Sequence, residues 1–273
     1  MKKQTAKKEF TSNDMPHNRL EVFFDILKNR LSTLLLLGFI IFIFSLPLIL
    51  IDYLTNITLN NIGSHDTEYF DVQLIIHSQN LLYILGFIIL GIGLSGVFKI
   101  IRLLIWQEGI IFWADFKDGI KSNCKDFIIT ALIIGIFNFL FHYIYYDKEL
   151  NQYAFLAIVV AIIFFLPTII FTLGQTVIYN LNYLAKTKNS FLLAWRVWYT
   201  SVPVALLNGG VIFLLLIPNP TTYLILLITL PIIIAPLLIL FNTLYTDTQF
   251  DNYINKGNFD EIIDKGIYRN GTN

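Results

Sequence analysis

Residues 31–54 read LSTLLLLGFIIFIFSLPLILIDYL. Asp52 is the one charged side chain in this run, and it stands near the end. An α-helix needs about 20 apolar residues to cross a hydrocarbon core. No water is available there to satisfy backbone groups, so such a run is predicted to be helical. Five more stretches repeat the pattern, at about 80–106, 127–146, 153–184, 197–217 and 222–245. Together they predict an all-α integral membrane protein, a six-helix bundle over residues 31–245. Residues 1–30 and 246–273 are then an N-terminal and a C-terminal tail. An outer-membrane barrel would alternate apolar and polar residues in shorter segments, and that pattern is absent.

The bulk composition agrees with this reading. The chain has 273 residues, 56% of them hydrophobic and 14% charged, where soluble domains carry about 25% charged residues. The mean hydropathy is +0.66. Formal net charge is zero, so no global field points to nucleic acid. The single cysteine, Cys124, excludes an internal disulfide or a CxxC site. The stretch before Leu31 is longer than a signal-peptide head, and no small-residue cleavage site follows the apolar run. The first span is therefore expected to be retained.

Lysine and arginine set the orientation. Residues 1–30 hold seven. Lys99, Arg102, Lys117, Lys121 and Lys125 follow the second span. Lys186, Lys188 and Arg196 stand between the fourth and fifth, and Lys256, Lys265 and Arg269 follow the sixth. That places 18 of 19 on one side, with Lys148 alone on the other. The expectation is a multi-pass protein of a bacterial plasma membrane with both termini in the cytoplasm.

The stretch GVFKIIRLLIWQEGIIFWADFKDGIKSN, residues 96–123, joins the second span to the third. Phe112, Trp113, Phe116 and Ile120 fall at helical spacings on one side, with charges around the other. This pattern predicts a separate interfacial helix, flanked by the belt residues Trp106 and Trp113. Trp106, Phe112, Trp113, Phe116 and Ile120 are the candidate membrane-interface or partner contacts. A transporter ATPase or permease subunit is the expected kind of partner, since a short helix can lay an apolar face into a groove. Lys99 and Arg102 share a helix face near the boundary. Snorkelling to the headgroups and contact with an anion or lipid headgroup both remain open for them.

The same stretch, with FSLP at 44–47, resembles the YesL-like bacterial membrane proteins, a family of unknown function. The matching residues include Gly96, Lys99, Trp106, Glu108, Gly109, Phe112, Asp115, Phe116, Ile120 and Asn123. The resemblance covers about forty residues in motif. It implies a six-helix fold and an association with carbohydrate uptake, not an activity. The long acidic outer loop departs from the family's pattern.

Polar residues inside spans are the remaining candidates. Asn138, His142, Gln175, Asn180 and Asn208 form a candidate polar path, with Pro167 and Pro231 at a depth similar to Asn208. Interhelical hydrogen bonding explains such residues equally well. The outer loop, about 55–79, carries His65, Asp66, Glu68, Asp71 and His77, whose spacing matches no calcium or zinc site. Asn56 and Thr58 match a glycosylation acceptor pattern. HExxH, G-x-S-x-G, P-loop and GxGxxG motifs are absent. The sequence therefore predicts no catalytic residue, no metal and no cofactor. It favours a non-enzymatic accessory or regulatory component of solute transport, with a stand-alone transporter or channel as the alternative.

Overall fold

The computed structural model describes residues 15–62, 69–213 and 220–268. Regular structure among them is helical throughout. The helices are α1 (Arg19–Asn29), α2 (Leu31–Ile62), α3 (Tyr69–Ile105), α4 (Phe112–Tyr146), α5 (Ala154–Val160), α6 (Leu166–Ile178), α7 (Tyr183–Arg196), α8 (Trp198–Phe213), α9 (Pro220–Thr229) and α10 (Ala235–Phe250). A π-helical turn at Ala161–Phe165 joins α5 to α6, and another at Leu230–Ile234 joins α9 to α10. Among the described residues, five segments are long and apolar enough to cross a membrane: Leu31–Thr55, Ile76–Ile105, Phe112–Tyr146, Asn151–Ile178 and Thr222–Asn255. A sixth exists if α7 and α8, which meet at 106°, count as one broken span. The architecture is an all-α membrane bundle.

Small residues decide which helices pack most closely. Gly91 of α3 faces Ala131 of α4, Ile84 faces Gly135, and Gly96 faces Phe116 and Gly119, so the pair is antiparallel. A Cβ added at Gly119 would come within 2.9 Å of the Gly96 Cα, and one at Gly96 within 2.5 Å of the Phe116 ring. Close backbone approach through small residues is how helices associate where lipid weakens the hydrophobic drive. The core runs from this hairpin to α2 and α10 through Ile100, Ile101, Leu37 and Leu240.

Prolines shape the other spans. Pro236 has no N–H, so the Ile232 carbonyl loses its usual helical donor. Gly38 of α2 lies directly against that carbonyl oxygen. Its Cα–H groups are placed to support the freed acceptor.

The structure changes several expectations. The separate interfacial helix is instead the first turns of α4, which runs unbroken to Tyr146. Gly119, within this helix, packs against the Gly96 backbone of α3. The expected outer loop is much shorter, since α2 continues to Ile62 and α3 starts at Tyr69. Asn56 and Thr58 lie within α2, whereas His65, Asp66 and Glu68 lie outside the described residues. The 153–184 stretch ends as a helix at Ile178, and Asn182 caps a new helix, accepting from the Ala185 N–H at 2.7 Å. Lys186 on that helix is buried and paired with Asp126 of α4 at 2.7 Å. It therefore ties α7 to α4.

Both tails contain ordered structure. α1 starts with a reciprocal cap: Asn18 Oδ1 accepts from the Glu21 N–H, and Asn18 Nδ2 donates to Glu21 Oε1. Val22 and Ile26, one turn apart, are buried against the core. At the other end a π-helical turn, Asp251–Asn255, extends α10. The chain then folds back until the Tyr268 N–H donates to the Pro16 carbonyl at 2.8 Å. Both described chain ends therefore lie on one face, called the terminal face below.

Candidate functional site

Three segments far apart in sequence meet on the terminal face: α1, the elbow after α3, and the chain after α10. Arg19 ties them. Its guanidinium donates to Asp251 Oδ2 at 2.8 Å and to the Lys265 carbonyl at 2.8 Å. It stands 4.0 Å from Asp247 Oδ2. Asp247 and Asp251 are one turn apart, so both carboxylates face the same cation. A buried carboxylate needs such pairing to offset its lost hydration. Asp247 is only 3% exposed and also accepts from Trp106 Nε1 at 3.3 Å. Asp251 accepts from Asn255 Nδ2 at 2.8 Å and from the Asp264 N–H at 3.3 Å.

Trp106 is the hub of the elbow. The Arg102 guanidinium lies 4.6 Å from its ring centroid and Lys265 Nζ lies 4.3 Å away. Lys265 also pairs with Glu108 at 2.7 Å. The cluster thus combines three cations, Arg19, Arg102 and Lys265, with three carboxylates, Asp247, Asp251 and Glu108. Tyr179 closes it by donating to Asn255 Oδ1. Burial first, and then the nearby Asp247 and Asp251 charges, push the Tyr179 phenol above its ordinary value, which keeps it a donor. Asp247 Oδ1, Arg19 Nε and Arg102 Nε are buried without a protein partner. Arg19 and Asp247 line a void of about 10 Å³, the size of one water.

Gly266 seats the returning chain. Its φ is +85°, and a Cβ there would strike the Ile105 carbonyl oxygen. Only glycine satisfies both conditions. A second opening, of about 400 Å³, lies between α1 and the elbow.

The structure places the sequence candidates as follows. Lys99 pairs with Asp118 at 3.3 Å, and Arg102 donates to the Val177 carbonyl at 2.7 Å, capping the end of α6. Both side chains therefore have protein partners on the bundle. The hairpin brings Asp118 opposite Lys99, and α6 ends beside Arg102. Of the five contact candidates, Phe116 is buried on Gly96, Phe112 and Ile120 pack on the core, and Trp106 is held in the cluster. Trp113 alone stays exposed, at 59%, next to Ile111 at 75%.

The polar-path residues stand in different surroundings. Gln175 is buried and donates to Ser190 at 2.9 Å. Asn208 exchanges two hydrogen bonds with Asn242, at 2.9 and 2.8 Å. His142 stacks on Tyr146, Asn138 is half-buried, and Asn180 is exposed beyond α6. His77 packs against Tyr143. Sequence reasoning missed Arg19, Asp247 and Asp251. The signals were the Asn18-to-Glu21 cap and the two carboxylates four apart after an apolar run.

Comparison with family models, curated proteins and solved structures yields no match for this chain.

Proposed function

We propose that this chain is a non-enzymatic, multi-pass protein of a bacterial plasma membrane that assists or regulates solute transport. Its terminal face is the cytoplasmic face, a reading supported by the distribution of Lys and Arg. Contacts there with a permease or ATPase subunit carry the role, and carbohydrates are the first solute class to examine. The resemblance to YesL-like proteins belongs to this reading.

One observation supports it most: the terminal face is a folded cap, made from both described ends of the chain and the elbow. Meanwhile, Gln175 and Asn208 in the interior are occupied by protein partners. Ile111 and Trp113 project beside the cap as an apolar contact for a partner. Mild-detergent purification of the wild type is expected to recover a permease or ATPase subunit. The double variant Ile111→Glu/Trp113→Glu is expected to lose it while still inserting in the membrane. Unchanged recovery of that subunit by the double variant refutes the contact.

The stand-alone transporter has one observation in its favour. The Asn208–Asn242 pair lies next to Gly209 and Gly210, and π-helical turns adjoin Pro167 and surround Pro231. Solute uptake by liposomes holding only this chain would establish that reading over the accessory role.

A further inference from the structure

The opening of about 400 Å³ on the terminal face has a mixed chemical lining. Its volume falls in the range of small-molecule sites, about 300–1,000 Å³. Ile26 and Leu104 supply apolar floor, and Asp25, Arg30, Gln107 and Glu108 supply polar groups. Leu104 belongs to the last turn of the Ile76–Ile105 span, so the cleft sits where that span leaves the hydrocarbon. On α1, Leu20 and Phe24 are exposed one turn apart. That is the pattern of a helix resting its apolar side on the bilayer interface.

The backbone points to the same place. α3 ends with the Glu108 N–H bonded to the Leu103 carbonyl and the Gln107 N–H bonded to the Leu104 carbonyl. This closure needs a left-handed residue, normally glycine, yet Gln107 holds it at φ 54°. A left-handed backbone carries a steric cost for a residue with a Cβ. The chain bears that cost and keeps an amide side chain on the cleft wall.

We propose that this cleft binds a zwitterionic phospholipid headgroup carrying a primary ammonium beside its phosphate. Arg30 is exposed and in no ion pair among the described residues, and it is the group for the phosphate. Asp25 commits one oxygen to Asn29 and Glu108 one oxygen to Lys265, which leaves each an oxygen for the ammonium. The carbonyl ends of α1 and α3 converge on the cleft and add to its preference for the cation. Ile26 and Leu104 meet the glycerol end. With one cation and two carboxylates, the lining favours a zwitterion over an anionic lipid. It also favours a primary ammonium, which donates hydrogen bonds, over a trimethylated one.

The test uses the full chain in detergent, with phosphatidylethanolamine, phosphatidylglycerol and phosphatidylcholine added at equal concentration and bound lipid counted by native mass spectrometry. The wild type is expected to retain phosphatidylethanolamine at least fivefold over either competitor. Arg30→Gln, at an exposed position, and Asp25→Asn, at a half-buried one, should each remove most of that preference, and Lys28→Gln should leave it intact. Gln107→Gly is the decisive variant: it should raise the melting temperature yet lower retention of the lipid. Soluble phosphoethanolamine is then added. Displacement shows that the ammonium–phosphate pair suffices, so a free ligand of that chemistry also fits. Retention of the lipid despite it shows that the glycerol end is recognised too. Equal retention of the three lipids, or unchanged retention by any one of Arg30→Gln, Asp25→Asn and Gln107→Gly, overturns the proposal.

Discussion

Arg19→Met removes the cation that joins α1 to the last helix while keeping a side chain of similar length. The loss includes a 2.8 Å charged hydrogen bond to Asp251, a 2.8 Å bond to the Lys265 carbonyl and the nearest charge to Asp247. Side-chain exposures are 13% for Arg19 and 11% for Asp251, so solvent replaces little of this. Breaking a buried pair from one side costs roughly 3–5 kcal/mol. The lower end applies here, because Trp106, Asn255 and the Asp264 N–H still serve the two carboxylates. α1 is otherwise held by the burial of Val22 and Ile26, so the cost should appear as local opening of α1. About 3 kcal/mol corresponds to roughly a hundredfold. Hydrogen exchange on the purified protein should show amide protection in α1 falling by that factor, with α3 and α4 unchanged. Asp251→Asn should weaken the same helix, and the double variant should be milder than the sum by at least about 1 kcal/mol. A fall in α1 protection below about threefold, or strict additivity of the pair, refutes the reasoning.

Four other outcomes follow from contacts elsewhere in the bundle. Gly266→Ala meets both a left-handed φ and the Ile105 carbonyl, so the returning chain should detach and proteolysis at Lys265 should accelerate at least tenfold. Gly119→Val forces α3 and α4 apart and should cost roughly 1–3 kcal/mol as overpacking, seen as a lower melting temperature. Gly109→Ala, with open space around it, should stay within about 0.5 kcal/mol of the wild type. Asn208→Leu removes two membrane hydrogen bonds averaging about 0.6 kcal/mol each, so a loss near 1 kcal/mol in a thermal assay is expected.

The segments that span were legible because apolar length is a local property. Residues 31–54 announce a helix without reference to any neighbour, and five of the six expected spans are matched by helices long enough to cross alone. The fifth fared differently: within the described residues α8 reaches that length only together with α7, across a 106° bend, and 214–217 of the expected span lie outside them. The elbow was misread for a related reason. Aromatic residues at helical spacing look alike whether they face lipid or a partner helix, and Gly96 is what draws Phe116 inward. The polar residues of the spans could be found from sequence, but not their partners, because Asn208 and Asn242 are 34 positions apart.

Sequence alone determined that this protein is a helical membrane bundle, where its apolar runs fall and which connections carry the positive charge. These follow from hydropathy and helix rise, which act over one span at a time. Only the tertiary structure decided that Arg19 meets Asp251 and Lys265, 232 and 246 positions away, or that Gly266 seats on the end of α3. A clasp of that kind needs two helix ends brought to one face at a fixed distance. Its members read as ordinary tail charges until the bundle buries them. Burial then turns each charge into one that must find its partner.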